Sequence, residues 1–256
     1  MITEGIREFK KKLRDSYVVG PFSKSSDPAF IEVMGYAGCD FVIVDLEHGP
    51  NSVETVQNLI RAAQVANTFP IVRVKENTPS VIKEVLDIGA GGIHVPQITG
   101  VQTAKEVMEL AKFSPAGMRG VDRFARAADY SSMDKFQYFR EANEAVIILG
   151  LEGKEAIEQV DEIIAVEGID VIFAGPYDIS QSLGITGQFD HPRVAEKVSE
   201  IVEKCAPKGI AVGNFVETVE SAKKWRDLGV KYICYSVDVG IFYDACREIF
   251  QGIRRE

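Results

Sequence analysis

The stretch GCDFVIVD, residues 38–45, joins a glycine that can end a helix to a β-branched apolar run that ends in a carboxylate. The same order returns as GIDVIFA at residues 168–174 and as LGVKYIC at residues 228–234. A strand that is apolar at nearly every position is covered on both faces, which is typical of parallel sheets flanked by helices. The repeat therefore predicts parallel β/α units.

Short apolar runs of this kind alternate along the whole chain with segments of helical period. The eight runs occupy residues 18–20, 41–44, 70–74, 92–95, 146–149, 171–174, 210–212 and 232–234. The predicted helices occupy residues 28–38, 53–66, 79–89, 101–113, 155–167, 192–208, 217–229 and 239–250. We therefore predict an α/β fold, a single (β/α)8 TIM barrel that takes in residues 1–256 as one domain, with a further helix at the N-terminus.

The competing architecture is a doubly wound open sheet, which usually carries a glycine-rich phosphate loop after its first strand. Here the first strand leads into GPFS, residues 20–23, and the sequence has neither a GxGxxG nor a Walker pattern there. The barrel is therefore favoured. The longest connection, residues 114–143, carries Arg119, Arg123 and Arg126, and we expect it to form a lid on the strand-end face.

Composition restricts the class of protein. The chain has 256 residues and a formal net charge of −9, which disfavours nucleic acid as a partner because phosphates are bound mainly by Lys and Arg. The first residues form no continuous apolar segment, so no membrane anchor is predicted. The four cysteines are far apart and share no CxxC spacing, which indicates reduced core residues and a cytoplasmic location.

Charged residues gather at the predicted carboxyl ends of the strands, where β/α barrels place their active sites. Glu152 follows the fifth strand, and Asp178 follows the sixth. Because neighbouring strands lie about 4.8 Å apart, both carboxylates can converge on one divalent cation and leave coordination positions for water and substrate. Alternatively, Glu152 forms an ion pair within its loop, and Asp178 caps a helical turn.

The ends of the second and third strands add a possible base and a possible cation. His48 lies three residues after Asp45, whose carboxylate can orient the imidazole and make it a general base; alternatively, His48 is a loop residue that caps the next helix. Arg73 faces either the barrel interior or the helix layer. There it can stabilise a developing enolate, pair with Glu47 or Asp45, or do both.

The other two histidines have simpler interpretations. His94 lies within the fourth strand and can point into the barrel, whereas His191 precedes Pro192 at the start of a helix, where it can act as a cap. We expect both to be structural.

Three motifs at strand ends or in the long connection resemble those of the class II pyruvate aldolases. They are DLEHGP at residues 45–50, PAGMRG at residues 115–120 and FAGPYDIS at residues 173–180. The similar members are the 4-hydroxy-2-oxoheptanedioate and 2-keto-3-deoxy-sugar-acid aldolases, and the likeness runs from about residue 20 to residue 240. The resemblance implies a carbon–carbon lyase that cleaves or forms hydroxy-2-oxo acids, giving pyruvate and an aldehyde through a metal-bound pyruvate enolate.

The same resemblance implies roles for the metal and the base. Glu152 and Asp178 would hold a Mg²⁺, Mn²⁺ or Co²⁺ ion that is chelated by pyruvate. His48, paired with Asp45, would act as the base through a bound water. Glu47 would support metal-bound water.

Substrate binding and assembly follow from the resemblance in the same way. Arg73 would hold the enolate oxygen, and backbone NH groups from Ala174 and Gly175 to Asp178 would hold the pyruvate carboxylate. Arg126 would meet an acidic aldehyde. The chain would form a homo-oligomer, a hexamer in which the C-terminal helix is exchanged between subunits.

One departure from the family pattern concerns the aldehyde pocket. Gly150 stands where family members often carry a Gln, two residues before the metal-binding Glu, and the segment at residues 213–216 also matches poorly. Two alternative functions stay open. One is a CoA-thioester lyase of the citrate lyase β-subunit type, and the other is a non-catalytic protein that binds 2-oxo acids.

Overall fold

Eight parallel strands close into one barrel in chain order in the computed structural model, which describes residues 2–255. The predicted α/β barrel is confirmed, and each strand overlaps its predicted run. Met1 and Glu256, the ends of the predicted domain, lie outside the described residues. The strands are β1 Val18–Ser23, β2 Phe41–Asp45, β3 Phe69–Arg73, β4 Gly92–Ile98, β5 Val146–Leu151, β6 Val171–Phe173, β7 Ala211–Val216 and β8 Tyr232–Val237.

Helices surround the barrel and also lie at both ends of the chain. They are α1 Ile2–Asp15, α2 Pro28–Tyr36, α3 Val53–Val65, α4 Pro79–Asp87, α5 Val101–Ala111, α6 Lys135–Ala142, α7 Lys154–Glu158, α8 Val160–Ile163, α9 Pro176–Ser182, α10 Pro192–Cys205, α11 Val219–Asp227 and α12 Asp238–Arg254. Short 3₁₀ segments occur at Arg126–Ser131 and Ala206–Lys208. Among the described helices, none is long and apolar enough to cross a membrane.

Most predicted helices are a few residues shorter in the structure, and in two of them a single residue explains the difference. The helix predicted at residues 155–167 is divided into α7 and α8 at Gln159, whose backbone leaves the helical region at φ −91° and ψ 17°. The Gln159 side chain accepts a hydrogen bond from the backbone N–H of Val101 at the start of α5. The helix predicted at residues 192–208 ends at Cys205, because Pro207 has no N–H to continue it.

Alternation along each strand separates the barrel interior from the helix layer. On β2, Phe41 and Ile43 pack inside the barrel, whereas Val42 and Val44 pack against the helices. Asp45 continues the inward set by this alternation. The residues that end the strands therefore project their polar groups into the mouth of the barrel.

Helix α1 closes the opposite, amino-terminal end of the barrel. Its apolar residues Ile6, Phe9 and Leu13 are buried and belong to the same apolar cluster as the barrel interior. The ring of Phe9 stacks on Phe69 at 4.2 Å between centroids and meets Phe41 edge-on at 6.1 Å. The interior is thus sealed at one end and open to polar groups at the other.

The long connection at residues 114–143 lies at this amino-terminal end, so the expected lid on the strand-end face is wrong. It joins α5 to β5, and a segment that leads from a helix into the next strand lies where the strands begin. Arg119 pairs with Asp87 at the end of α4, at 2.6 Å. Arg126 donates hydrogen bonds to the Ile88 carbonyl, at 3.0 Å, and to Gln64 Oε1, at 2.6 Å.

Replacing Phe9 with Ala tests whether α1 stabilises the barrel. The change removes a buried ring from the closed end, so we expect the free energy of unfolding to fall by about 3–5 kcal/mol. Urea denaturation followed by circular dichroism measures it. Phe136→Ala is the matched control, because Phe136 is 61% exposed and its loss should cost less than about 1 kcal/mol. Equal effects of the two substitutions would contradict a stabilising role for α1.

Candidate active site

A buried ion pair joins the ends of β2 and β3. Arg73 Nε lies 2.9 Å from Asp45 Oδ1, and its NH2 group lies 2.7 Å from Asp45 Oδ2, so the guanidinium binds the carboxylate through two parallel hydrogen bonds. The two residues are direct partners in the β2–β3 register. The Arg73 guanidinium also lies over the ring of Phe22, 4.4 Å from its centroid. Arg73 therefore faces the interior and is fixed from two sides.

Asp45 is fully buried and also organises the loop that follows β2. Its Oδ1 atom accepts hydrogen bonds from the backbone N–H groups of Glu47 and His48, at 3.0 and 3.2 Å. Burial alone would raise the pKa of Asp45. The hydrogen bonds and positive charge of Arg73, together with the two backbone donors, instead hold that pKa below its ordinary value.

Glu47 connects the guanidinium to two further side chains. Its Oε2 atom lies 3.1 Å from Arg73 NH1, and its Oε1 atom accepts a hydrogen bond from Gln97 Nε2 at 3.1 Å. Only 9% of the Glu47 side chain is exposed. Both ion pairs considered for Arg73, with Asp45 and with Glu47, are therefore present.

The imidazole of His48 lies beside Glu47, so its expected pairing with Asp45 is not what the structure has. His48 Nε2 is 3.7 Å from Glu47 Oε2, whereas Asp45 contacts His48 through the backbone. Asp45 is fully buried and binds Arg73 through both oxygens, so its carboxylate faces the guanidinium rather than the exposed imidazole. The His48 side chain is 62% exposed and faces the open mouth of the barrel.

Glu152 and Asp178 follow neighbouring strands, β5 and β6, and carry an uncompensated negative charge. Burial raises the pKa of Glu152, and repulsion from Glu47 and Asp178 raises it further, against the opposing effects of the Gln97 backbone N–H and the charge of Arg73. Burial also raises the pKa of Asp178. Within residues 2–255, no Lys, Arg or His side chain forms an ion pair with either carboxylate. Two partly buried carboxylates that repel each other favour a bound cation.

The alternative interpretations of this carboxylate pair do not fit. Helix α9 begins at Pro176 with Gly175 as its N-cap, so Asp178 lies inside the first turn and is not the cap. A Cβ atom on Gly175 would lie 2.7 Å from Asp178 Oδ2, so glycine leaves the space that this carboxylate occupies.

One of the backbone N–H groups expected to hold the pyruvate carboxylate is already bound within the protein. Ala174 donates its N–H to the Gly213 carbonyl at 3.0 Å and therefore has no amide N–H to offer a ligand.

Gln97 belongs to the site, although sequence reasoning missed it. It lies at an irregularity of β4, between Val95 and Ile98, and its backbone has a φ of 56°. Its side chain donates a hydrogen bond to Glu47, and its backbone N–H lowers the pKa of Glu152. A non-glycine residue with positive φ near an active site is a known sign of a functional constraint, but it is visible only in coordinates.

Arg126 is far from these groups in the single chain. It lines an open cavity of about 1080 Å³ at the amino-terminal end, together with Asp40 and Phe69, which precede or begin strands. The carboxylates lie at the carboxyl-terminal end, so the chain does not bring Arg126 to Glu152 and Asp178. His191 caps α10 through Nδ1, which accepts a hydrogen bond from the Arg193 N–H at 3.2 Å.

The described residues hold no group of three or more His, Cys, Asp or Glu side chains placed to bind a metal. A cation here would therefore have two protein carboxylates and complete its coordination with water or substrate. Magnesium-like ions are commonly held in proteins by one or two carboxylates in this way.

Comparisons with known proteins agree with this fold and identify the family. The HpcH/HpaI aldolase/citrate lyase family matches residues 19–245. A 5-keto-4-deoxy-D-glucarate aldolase from Shigella boydii is 31% identical over 97% of this chain and 96% of its own.

Two solved structures cover nearly the whole chain. An HpcH/HpaI aldolase/citrate lyase family protein from Burkholderia cenocepacia has a TM-score of 0.89 at 31% identity, covering 97% of this chain and 99% of its own. The citrate synthase SbnG has a TM-score of 0.84 at 32% identity, covering 96% of each chain. The resemblance seen in the three sequence motifs is confirmed, and this chain belongs to the HpcH/HpaI aldolase/citrate lyase family.

Proposed function

We propose that this chain is a metal-dependent aldehyde-lyase of the class II pyruvate aldolase type, which cleaves or forms hydroxy-2-oxo acids. The observation that carries the proposal is the uncompensated pair Glu152 and Asp178 beside the buried Arg73. This arrangement offers a cation site and a fixed positive charge at the same end of the barrel. A substrate that carries a carboxylate and develops negative charge as an enolate is stabilised by both features.

The residues present fit a divalent metal ion, on which the family generally depends. Glu152 and Asp178 would hold it, since burial raises the pKa of both carboxyl groups and neither forms an ion pair with a described side chain. When bound, a Mg²⁺, Mn²⁺ or Co²⁺ ion would polarise the keto group of a 2-oxo acid and favour enolate formation.

Arg73 and His48 would carry out the remaining chemistry. The guanidinium of Arg73 has five N–H donors. Two of them bind Asp45 and one faces Glu47, which leaves two that can bind the oxygen that gains charge in the enolate. In the cleavage direction His48 would take the proton of the 4-hydroxyl group. The electron pair left on that oxygen then forms the aldehyde carbonyl as the C3–C4 bond breaks, the C3–C4 pair enters the enolate, and protonation at C3 gives pyruvate.

Two other functions make different predictions. The similarity to the citrate synthase SbnG favours a second candidate function, in which the enzyme forms or breaks a carbon–carbon bond of a CoA thioester. Such an enzyme would use a CoA thioester and would not release pyruvate from a hydroxy-2-oxo acid. A 2-oxo-acid sensor would bind pyruvate with metal but would not catalyse any exchange of its methyl protons.

We also propose that the chain works as a cytoplasmic homo-oligomer, a hexamer in the family pattern. Helix α12 supports this proposal, because large apolar side chains along it are exposed in the single chain. They are Val239, Ile241, Phe242, Tyr243, Ile249, Phe250 and Ile253. Covering such a face by exchange of α12 between subunits would remove it from water.

Replacing Glu152 with Gln tests the metal-dependent activity. The amide keeps the size of the side chain but removes the charge, so kcat/KM for pyruvate release from 4-hydroxy-2-oxoheptanedioate with Mn²⁺ should fall at least about 100-fold. A coupled lactate dehydrogenase assay measures it. Glu155→Gln is the matched control, because Glu155 is exposed in the next helix and should retain full activity. Equal activity of Glu152→Gln and wild type would contradict the proposal.

Replacing Ile253 with Glu tests the proposed assembly. Ile253 is 77% exposed in the single chain, and a charge buried in an interface would break it. We expect wild type and the neighbouring control Gln251→Glu to form one oligomer by light scattering after gel filtration. Ile253→Glu should dissociate into smaller species. A monomeric wild type, or an unchanged mass in Ile253→Glu, would rule out this interface.

A further inference from the structure

His94 occupies the floor of the candidate site, inside the barrel. It is only 2% exposed and lies between the rings of Phe173 and Phe22, at 4.8 and 6.0 Å between centroids. Its neighbours in register are Arg73 on β3 and Ile148 on β5. The imidazole therefore lies one strand away from the guanidinium and shares with it the aromatic side chain of Phe22.

The His94 ring leans toward the open end of the barrel. Its Nε2 atom lies 3.3 Å from the position that a Cβ atom would take on Gly150, although its partner in register is Ile148. Along β5, Gly150 is the next inward-facing residue after Ile148 and lies nearer to Glu152. The ring therefore points toward the carboxylate pair, and it does so in the space that a side chain at position 150 would take.

The protein explains the charge of His94 but supplies no hydrogen-bond partner for its ring. Burial and, to a smaller extent, the charge of Arg73 lower the pKa of His94 to about 3, against the opposing effect of Asp45, so the imidazole is neutral. Its Nδ1 atom is buried without a hydrogen-bond partner, and no described residue forms a hydrogen bond with either ring nitrogen. A buried polar group without a partner costs free energy unless water or a ligand supplies one.

We propose that His94 is a substrate-binding residue, whose neutral imidazole forms a hydrogen bond with an oxygen of the bound 2-oxo acid from the floor of the site. The inference rests on the proposed function, and it assigns a binding role to a residue that reads from sequence as structural. Gly150 belongs to the same arrangement, because a side chain there would displace the ring. A neutral donor beside Arg73 holds the oxygen without adding a second positive charge.

Oxalate binding tests the inference without depending on turnover. Oxalate resembles the planar enolate of pyruvate, and isothermal titration with saturating Mg²⁺ gives its Kd. For His94→Leu we expect that Kd to rise about tenfold to a hundredfold, the range for one hydrogen bond to a charged group. His94→Gln, which can still donate and accept, should recover most of the loss. Equal Kd values for wild type and His94→Leu would overturn the inference.

A crystal structure of the wild type with Mg²⁺ and oxalate keeps the inference testable if His94→Leu does not fold. We expect one His94 ring nitrogen within about 3.2 Å of an oxalate oxygen. Separation by more than about 4 Å in an occupied site would overturn the role of His94 but leave the proposed function intact. If wild type bound no oxalate with Mg²⁺, Mn²⁺ or Co²⁺, the proposed function and this inference would both fail.

Discussion

The site depends on the charge balance around Arg73. A guanidinium inside a barrel requires carboxylates, and Asp45 and Glu47 supply them from the strand and loop next to it. Removing one partner of a buried ion pair leaves an uncompensated charge, which typically costs about 3–5 kcal/mol. The same contacts set the backbone of the loop after β2 and place Glu47 next to His48 and Gln97. The geometry of several site residues therefore follows from one buried cation.

The two ends of the barrel divide stability from chemistry. At the amino-terminal end, Phe9 and Phe69 seal the interior with stacked rings, and the long connection packs against α4 through Arg119. At the carboxyl-terminal end, Glu152 and Asp178 retain negative charge that the chain does not neutralise. Apolar packing at the amino-terminal end can thus stabilise a fold whose active site holds two carboxylates without ion-pair partners.

The barrel and most of its site could be predicted from the sequence because both follow from repeats. Apolar runs mark the strands, and polar residues that end or follow a run lie at the carboxyl end of the barrel. This position identifies Asp45, Arg73, Glu152 and Asp178 as candidate site residues. The imidazole partner of His48 could not be predicted, because competition for the oxygens of Asp45 is decided by side-chain geometry.

Other features needed either topology or coordinates. The long connection was predicted at the wrong end of the barrel because it precedes a strand rather than following one, a distinction that the order of elements already contains. The roles of Gln97 and His94 depend on a positive φ and on a missing hydrogen-bond partner. Neither property is written in residue identity. In the sequence Gly150 is only a departure from the family pattern, whereas the structure shows His94 Nε2 3.3 Å from the position that a Cβ atom there would take.

The central claim is that this site forms the enolate of a 2-oxo acid, and exchange of the pyruvate methyl protons in D₂O tests it most directly. Proton NMR follows the loss of the methyl signal with enzyme, pyruvate and Mg²⁺ or Mn²⁺. The account predicts exchange that requires both enzyme and metal and stops when EDTA removes the metal. Pyruvate that binds with metal but keeps its methyl protons would contradict it and would indicate a sensor.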